Sequence, residues 1–240
     1  LLAPYTESLT LATITGSVLA ARRRRWWPAG LLGLAGALAK LPGALITLPL
    51  LWEWWHTQTR RMRDVVALWL PPAGALGFMV YRFVVIGNMP GGSTSSLFRH
   101  PFFYPTAAQK VWAWRFVMPW EGVERAVAAL FVPQDATSWV RAGLELAWVI
   151  GLVLAAVATW RRLPGIYGVY MVVLLGVTLM WVDTLRPYST IYRHGLLYFP
   201  VFMLLGIAGA RPWIHRALVA VFVPAQALFT AFFALWYWMG

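Results

Sequence analysis

Long apolar runs, separated by short clusters of arginine, are the feature that most restricts how this chain can fold. The 240 residues are 60% hydrophobic and include 16 Trp, but only 8 Asp and Glu. A soluble domain of this length needs more charge to cover its surface. The core of a bilayer is about 30 Å thick and takes roughly 20 helical residues, a length that the apolar runs approach or reach. The composition therefore predicts an all-α, polytopic membrane helical bundle, with a single transmembrane domain over residues 1–240.

We predict eight membrane segments and one long outer loop. The segments cover about 4–21, 27–40, 43–56, 65–87, 138–160, 165–182, 195–210 and 216–238. Pro42 and Gly43 follow Lys40 and interrupt the helix, so the second and third segments form either two short crossings or a re-entrant hairpin. The outer loop covers about 88–137, and its aromatic residues alternate with Arg and Glu. This pattern predicts an amphipathic helix lying on the outer leaflet.

Four short turns rich in arginine predict the orientation of the chain. They lie at 22–25, 60–63, 161–162 and 211–216. Alternating crossings put all four turns on one side, and the positive-inside rule makes this the cytoplasmic side. The formal net charge of +12 then reflects topology and anionic lipids, and not a nucleic-acid partner. The abundance of Ala, Arg and Trp favours a bacterial inner membrane as the location.

Three charged residues on the predicted outer side are candidates for a functional site. Glu7 lies at the start of the first apolar helix, where placing a carboxylate in lipid costs free energy. Lys40 lies at the break between two short segments and has no acidic neighbour in sequence, and Arg193 lies just before the seventh segment. Isolated cations at membrane depth need an anionic partner, which a lipid phosphate would supply. The alternative is that these side chains only extend to the aqueous interface.

Cofactor chemistry has little support in the sequence. The chain has no Cys, and no two of its 4 His have metal-ligand spacing on a helix. No glycine-rich loop of the nucleotide-binding kind is present. We therefore predict no metal held by these residues and no cofactor.

Four stretches share their order along the chain and their predicted outer placement. They are Ala3–Ser8; Leu38–Gly43; the set Ala108, Gln109, Trp112, Arg115, Pro119 and Trp120; and Ser189–His194. Together they resemble the membrane-integral C-type glycosyltransferases, in the branch of GPI mannosyltransferase 2 and its bacterial relatives. The resemblance covers nearly the whole chain. Lys40 stands where the family has Arg, and His194 stands where it has Tyr.

The resemblance implies transfer of a hexose, typically mannose, from a polyprenyl- or dolichyl-phosphate donor to an acceptor at the outer membrane face. It implies that Lys40 and Arg193 hold the donor phosphate and that replacing either with Ala abolishes transfer without unfolding the protein. The implied cavity-lining residues are Tyr5, Gln109, Trp112, Arg115 and His194, together with Glu7. The family's acidic base lies in a first outer loop, which we expect to precede Leu1, so Glu7 is only a candidate for that role.

The implied partners are the lipid-linked sugar, membrane lipids and an acceptor that the sequence leaves open. Two alternatives remain. A transporter or flippase of lipid-linked saccharide would favour inverted repeats, with a second broken segment in the second half of the chain. A non-catalytic, lipid-binding membrane scaffold is the other.

Overall fold

The fold is predominantly helical, as the apolar runs predict. The computed structural model describes residues 6–58, 61–81, 84, 114–131, 136–183, 188 and 194–234. Within these ranges the chain forms helices and one two-stranded antiparallel sheet. The sheet was not predicted.

The helices are numbered in chain order. They are α1 Glu7–Arg22, α2 Trp26–Ala39, α3 Thr47–Trp55, α4 Met62–Leu68, α5 Leu70–Tyr81, α6 Pro119–Ala128, α7 Ala136–Arg162, α8 Gly165–Met180, α9 Phe199–Ala208 and α10 Pro212–Ala234. Two 3-10 helices cover Leu41–Ile46 and Gly195–Leu197. The strands are β1 Trp114–Phe116 and β2 Trp181–Asp183.

Two helical stretches of the described chain are long and apolar enough to cross a membrane, judged by length and composition. They are Met62–Tyr81 and Ala142–Arg162. Helices α2, α8 and α9 are also apolar but shorter, between 10 and 17 residues. The structure thus bears out apolar helices, while the count of eight crossings stays a prediction.

The helices are interrupted at two points, one predicted and one not. The predicted break after α2 is confirmed, because the helix ends at Ala39 and the 3-10 helix Leu41–Ile46 follows. The fourth predicted segment is divided at Trp69, between α4 and α5. Pro71 and Pro72 lack the N–H groups that would continue the α-helical hydrogen bonding through this point.

Helices α1 and α2 form an antiparallel hairpin around the turn Arg23–Arg25. The face that α1 buries is partly polar and includes Thr10, Thr13 and Ser17. The Ser17 hydroxyl donates a 2.7 Å hydrogen bond to the carbonyl oxygen of Ala29 in α2. Small residues and hydroxyl-to-backbone hydrogen bonds allow such close helix packing in apolar surroundings.

The sheet fastens the outer loop to the end of α8. In its register Trp114 pairs with Asp183 and Arg115 with Val182. The Val117 N–H donates a further 2.8 Å hydrogen bond to the Met180 carbonyl oxygen. The sixth predicted segment therefore ends as a strand and not as a helix, because β1 supplies partners for its backbone groups.

Part of the amphipathic helix predicted in the outer loop is present as α6. Trp114 and Arg115, which belong to the same predicted pattern, lie instead in strand β1, and the position on the outer leaflet stays a prediction. The buried residues of α6 are Gly122 and Ala126, whereas Trp120 is 68% exposed. Gly122 lies so close to its neighbours that an added methyl group would be 2.6 Å from the Tyr188 hydroxyl oxygen. This contact sets α6 against the end of α8 and β2.

Candidate functional site

A buried ion pair joins two of the residues that the sequence singles out. The Lys40 Nζ atom lies 2.9 Å from the Glu7 Oε1 atom. The side chains of Lys40 and Glu7 are only 15% and 7% exposed. The anionic partner of Lys40 is thus a carboxylate of the chain itself, 33 residues away in sequence.

The hairpin explains why these two residues meet. Helices α1 and α2 have similar lengths, 16 and 14 residues, so the residues at their free ends lie opposite each other. Glu7 is the first residue of α1, and Lys40 is the C-cap of α2. Both charges are favoured there, because the helix dipole stabilises an anion at the N-terminus and a cation at the C-terminus.

The break after Lys40 is held by backbone contacts. The Gly43 N–H donates a 2.7 Å hydrogen bond to the Lys40 carbonyl oxygen, and the Lys40 N–H donates one of 3.0 Å to Gly36. A methyl group on Gly43 would overlap the carbonyl group of Gly36. Glycine is therefore needed at position 43 for the chain to turn back against α2.

A small cavity lies close to the ion pair, one helical turn along α1. It is lined by Thr10 and Ile14 of α1, Gly43 and Leu45 after the break, Tyr170, Val173 and Leu174 of α8, and Leu197. Its volume is about 10 Å³, roughly the space of one water molecule. Gly43 belongs to one of the stretches that resemble the glycosyltransferase family, and Thr10 and Leu197 each follow another of them closely in sequence. Three of the four stretches therefore meet near this cavity. A saccharide does not fit inside this cavity.

Two tyrosines hold the segment that follows His194 against α8. The Tyr170 hydroxyl donates a 2.7 Å hydrogen bond to the Leu197 carbonyl oxygen. The Tyr198 hydroxyl donates one of 2.7 Å to the Thr178 Oγ1 atom. The sequence analysis missed both tyrosines and Thr10. Only Thr10 had a usable signal, since it lies three residues after Glu7 on the same helix face.

Of the other predicted site residues, the structure describes only Arg115 and His194. Arg115 is exposed on β1, where it pairs with Val182. His194 is half-buried and immediately precedes the 3-10 helix Gly195–Leu197. The predicted residues Tyr5, Gln109, Trp112 and Arg193 lie outside the described residues.

Tyr188 is a buried titratable group near the C-terminal end of α8. Its side chain is 2% exposed, and burial raises the pKa of its hydroxyl to about 12. Among the residues that the structure describes, its hydroxyl has no hydrogen-bond partner. Within the same ranges, no group of three or more His, Asp or Glu could hold a metal ion.

The chain was compared with protein-family models, curated proteins and solved structures. None of the three comparisons gave a match.

Proposed function

We propose that this chain is a multi-pass membrane glycosyltransferase of the polyprenyl-phosphate-dependent kind. It transfers a hexose, mannose in the first instance, from a polyprenyl- or dolichyl-phosphate donor to an acceptor at the outer face of a bacterial inner membrane. The membrane part of the proposal is supported by two helices long enough to cross and three shorter apolar ones.

The buried Glu7–Lys40 ion pair is the observation that carries the proposal. It brings together a carboxylate and a cation from two stretches that resemble the same glycosyltransferase family. The pair occupies the free ends of α1 and α2, where Lys40 keeps 15% of its side chain exposed. A donor phosphate can approach the ammonium group from that side, whereas the cavity beyond the pair is too small for a sugar.

The proposed chemistry is an inverting displacement. An acidic side chain accepts the proton of the acceptor hydroxyl, and the hydroxyl oxygen forms a bond to the anomeric carbon of the sugar. The bond from that carbon to the phosphate oxygen breaks, and the phosphate leaves with the bonding electrons. Lys40, with Arg193, stabilises the charge that develops on the phosphate. Glu7 is the candidate base within the described chain.

A transporter of lipid-linked saccharide is the second candidate, and one structural feature favours it. Transporters often have discontinuous helices in corresponding positions of their two halves. A 3-10 helix interrupts the chain before α3 and another before α9. The second interruption was not predicted from the sequence.

A transfer assay in membranes separates these functions. The protein is supplied with radiolabelled polyprenyl-phosphate mannose, and the label is followed into lipid and protein. We expect transfer from this donor and none from a nucleotide-linked mannose. Absence of transfer with mannose, glucose and arabinose donors, combined with movement of lipid-linked saccharide across proteoliposomes, would favour the transporter.

Matched variants test the role of Lys40 in the same assay. Lys40→Arg keeps the charge and should retain transfer, whereas Lys40→Gln should reduce it at least about 100-fold per folded molecule, in the range for loss of one group that stabilises transition-state charge. Arg22→Gln is the control, because it removes the 3.0 Å ion pair between Arg22 and Glu53 at the opposite end of α1. Equal transfer by Lys40→Gln and wild type would remove Lys40 from the site.

A further inference from the structure

The opposite end of the bundle gathers exposed arginines and tryptophans from separate parts of the chain. The Arg22 guanidinium lies 3.0 Å from the Glu53 carboxylate, which ties the end of α1 to α3. The rings of Trp52 and Trp160 are 5.8 Å apart and tie α3 to the end of α7. The exposed arginines at these ends are Arg22–Arg25, Arg161 and Arg162.

The start of α4 lies at this end as well. Gly30, one turn into α2, is so close to Ala67 that an added methyl group would overlap the Ala67 carbonyl oxygen. Gly33, one turn further along α2, is similarly close to Pro71, so α4 and α5 run parallel to α2. The exposed Arg61 and Arg63 therefore lie near the turn that precedes α2. Trp27 and Trp55, 48% and 62% exposed, lie on the same helix ends. Tryptophan prefers the depth of lipid headgroups.

The turn Arg23–Arg25 holds one arginine in a conformation that normally favours glycine. Arg24 has a φ of 59° and is the one non-glycine residue with positive φ in the described part of the chain. The Arg24 N–H donates a 2.8 Å hydrogen bond to the Ala21 carbonyl oxygen, and the Arg25 N–H donates one of 2.9 Å to the Ala20 carbonyl oxygen. These are the two hydrogen bonds of a Schellman motif, whose left-handed position is usually glycine.

An arginine at that position sacrifices local stability, and strain of this kind points to a function for the side chain. The Glu53 carboxylate is paired with Arg22, and no ion pair to Arg23, Arg24 or Arg25 is present in the described ranges. Three exposed guanidinium groups on one tight turn match phosphate oxygens, which arginine binds in a bidentate manner.

We infer that this end, defined by Arg23–Arg25 with Arg61, Arg63, Arg161 and Arg162, is a binding site for the headgroups of anionic phospholipids. It selects phosphatidylglycerol-like lipids over zwitterionic ones. The inference uses the membrane placement in the proposed function but not the transfer of sugar. A protein without transferase activity would show the same lipid selectivity, so the two proposals fail separately.

Lipid retention by the purified protein tests the site. The protein, in neutral detergent, is given equal amounts of phosphatidylglycerol and phosphatidylcholine, and bound lipid is counted by native mass spectrometry. Each surface arginine changes the affinity for anionic lipid about fivefold. We therefore expect Arg23→Gln with Arg25→Gln to lower the preference for phosphatidylglycerol about 25-fold.

Two further variants decide the outcome. Arg115→Gln with Arg125→Gln removes the same charge near the other end and should leave the preference within about twofold, because screening limits charge effects to roughly 10 Å. Arg24→Gly should lower the preference about fivefold while keeping or raising the melting temperature. Equal losses in both double variants, no loss in Arg24→Gly, or displacement of the lipid by inorganic phosphate would each overturn the site.

Discussion

At the scale of single residues, the Glu7–Lys40 ion pair is the most consequential contact. Removing one member of a buried pair is destabilising because the other charge stays buried and loses this partner. This changes the expectation drawn from sequence, in which Lys40→Ala removes transfer without unfolding the protein. With Glu7 beside it, Lys40 has a structural role that the sequence did not show.

A double-mutant cycle measures this coupling. We expect Lys40→Gln and Glu7→Gln each to lower the free energy of unfolding, by about 3 kcal/mol for the first. The double variant should lose less than the sum of the two, by about 1–3 kcal/mol, because each single variant already removes the interaction between the two charges. The measurement is unfolding in mixed micelles. Strictly additive losses would show that the two charges do not interact.

Tyr188 gives a prediction about pH. Its hydroxyl has a pKa of about 12 in the folded protein, against about 10 in an unfolded chain. Below pH 10 both states keep the proton, so stability is unaffected there. Between pH 10 and 12 the unfolded state ionises first, and stability must fall.

The variant Tyr188→Phe should remove this contribution. We expect its melting temperature to fall less than that of wild type between pH 10 and 12, and to match or exceed wild type at pH 7. The reason is that the buried hydroxyl has no partner among the described residues, so its loss removes no hydrogen bond to them. Parallel falls for the two proteins over that pH range would show that Tyr188 does not titrate as described.

At the scale of elements, the break between α2 and the 3-10 helix Leu41–Ile46 positions Lys40. The break depends on close approach of two backbones, at Gly43 and Gly36. A side chain at position 43 cannot avoid this overlap by changing its rotamer, because Cβ itself collides with a backbone carbonyl. The segment must then move away from α2.

Gly43→Ala tests the importance of this approach. We expect a loss of about 3 kcal/mol in the free energy of unfolding, at the upper end for overpacking, and a weaker Glu7–Lys40 coupling. Gly77→Ala in α5 is the matched control, since nothing lies within 4 Å of the added methyl group. Alanine there should be neutral or stabilise the helix by up to about 1 kcal/mol. Equal stability of the two variants would contradict the described packing.

At the scale of the whole molecule, the two ends of the helical bundle carry different groups of residues. The arginine turns at the ends of α1 and α7 lie together, through the contacts of Trp52 with Trp160. Helix α6 and the sheet lie at the other end of α8. The two ends of the bundle therefore differ, and the assignment of cytoplasmic and outer sides to them stays a prediction.

Cysteine labelling tests this orientation, and the chain is suited to it because it has no Cys. Gln58 follows α3 and Glu124 lies on α6, and both residues are exposed. Each is replaced with Cys in turn. A membrane-impermeant maleimide should label Glu124→Cys in intact cells and Gln58→Cys only after permeabilisation. Labelling of both from the same side would contradict the orientation.

Local features of the sequence were enough to predict the helical class, the break after Lys40 and the helix in the outer loop. Each depends on neighbours in the chain: apolar runs, Pro and Gly at a break, and aromatic residues mixed with charges. The predicted end of α1 at the arginine cluster is of the same kind. Such features constrain the backbone without knowledge of distant contacts.

Only the tertiary structure decided that Glu7 pairs with Lys40, that β1 pairs with β2 and that Tyr170 bonds to Leu197. These contacts depend on how each helix is rotated about its axis and on which ends meet. An amphipathic helix reveals its inward face through the spacing of its apolar residues. Helices such as α2, α8 and α9 are apolar on nearly every side, so their sequences contain no such spacing, and packing alone selects the face that each one buries.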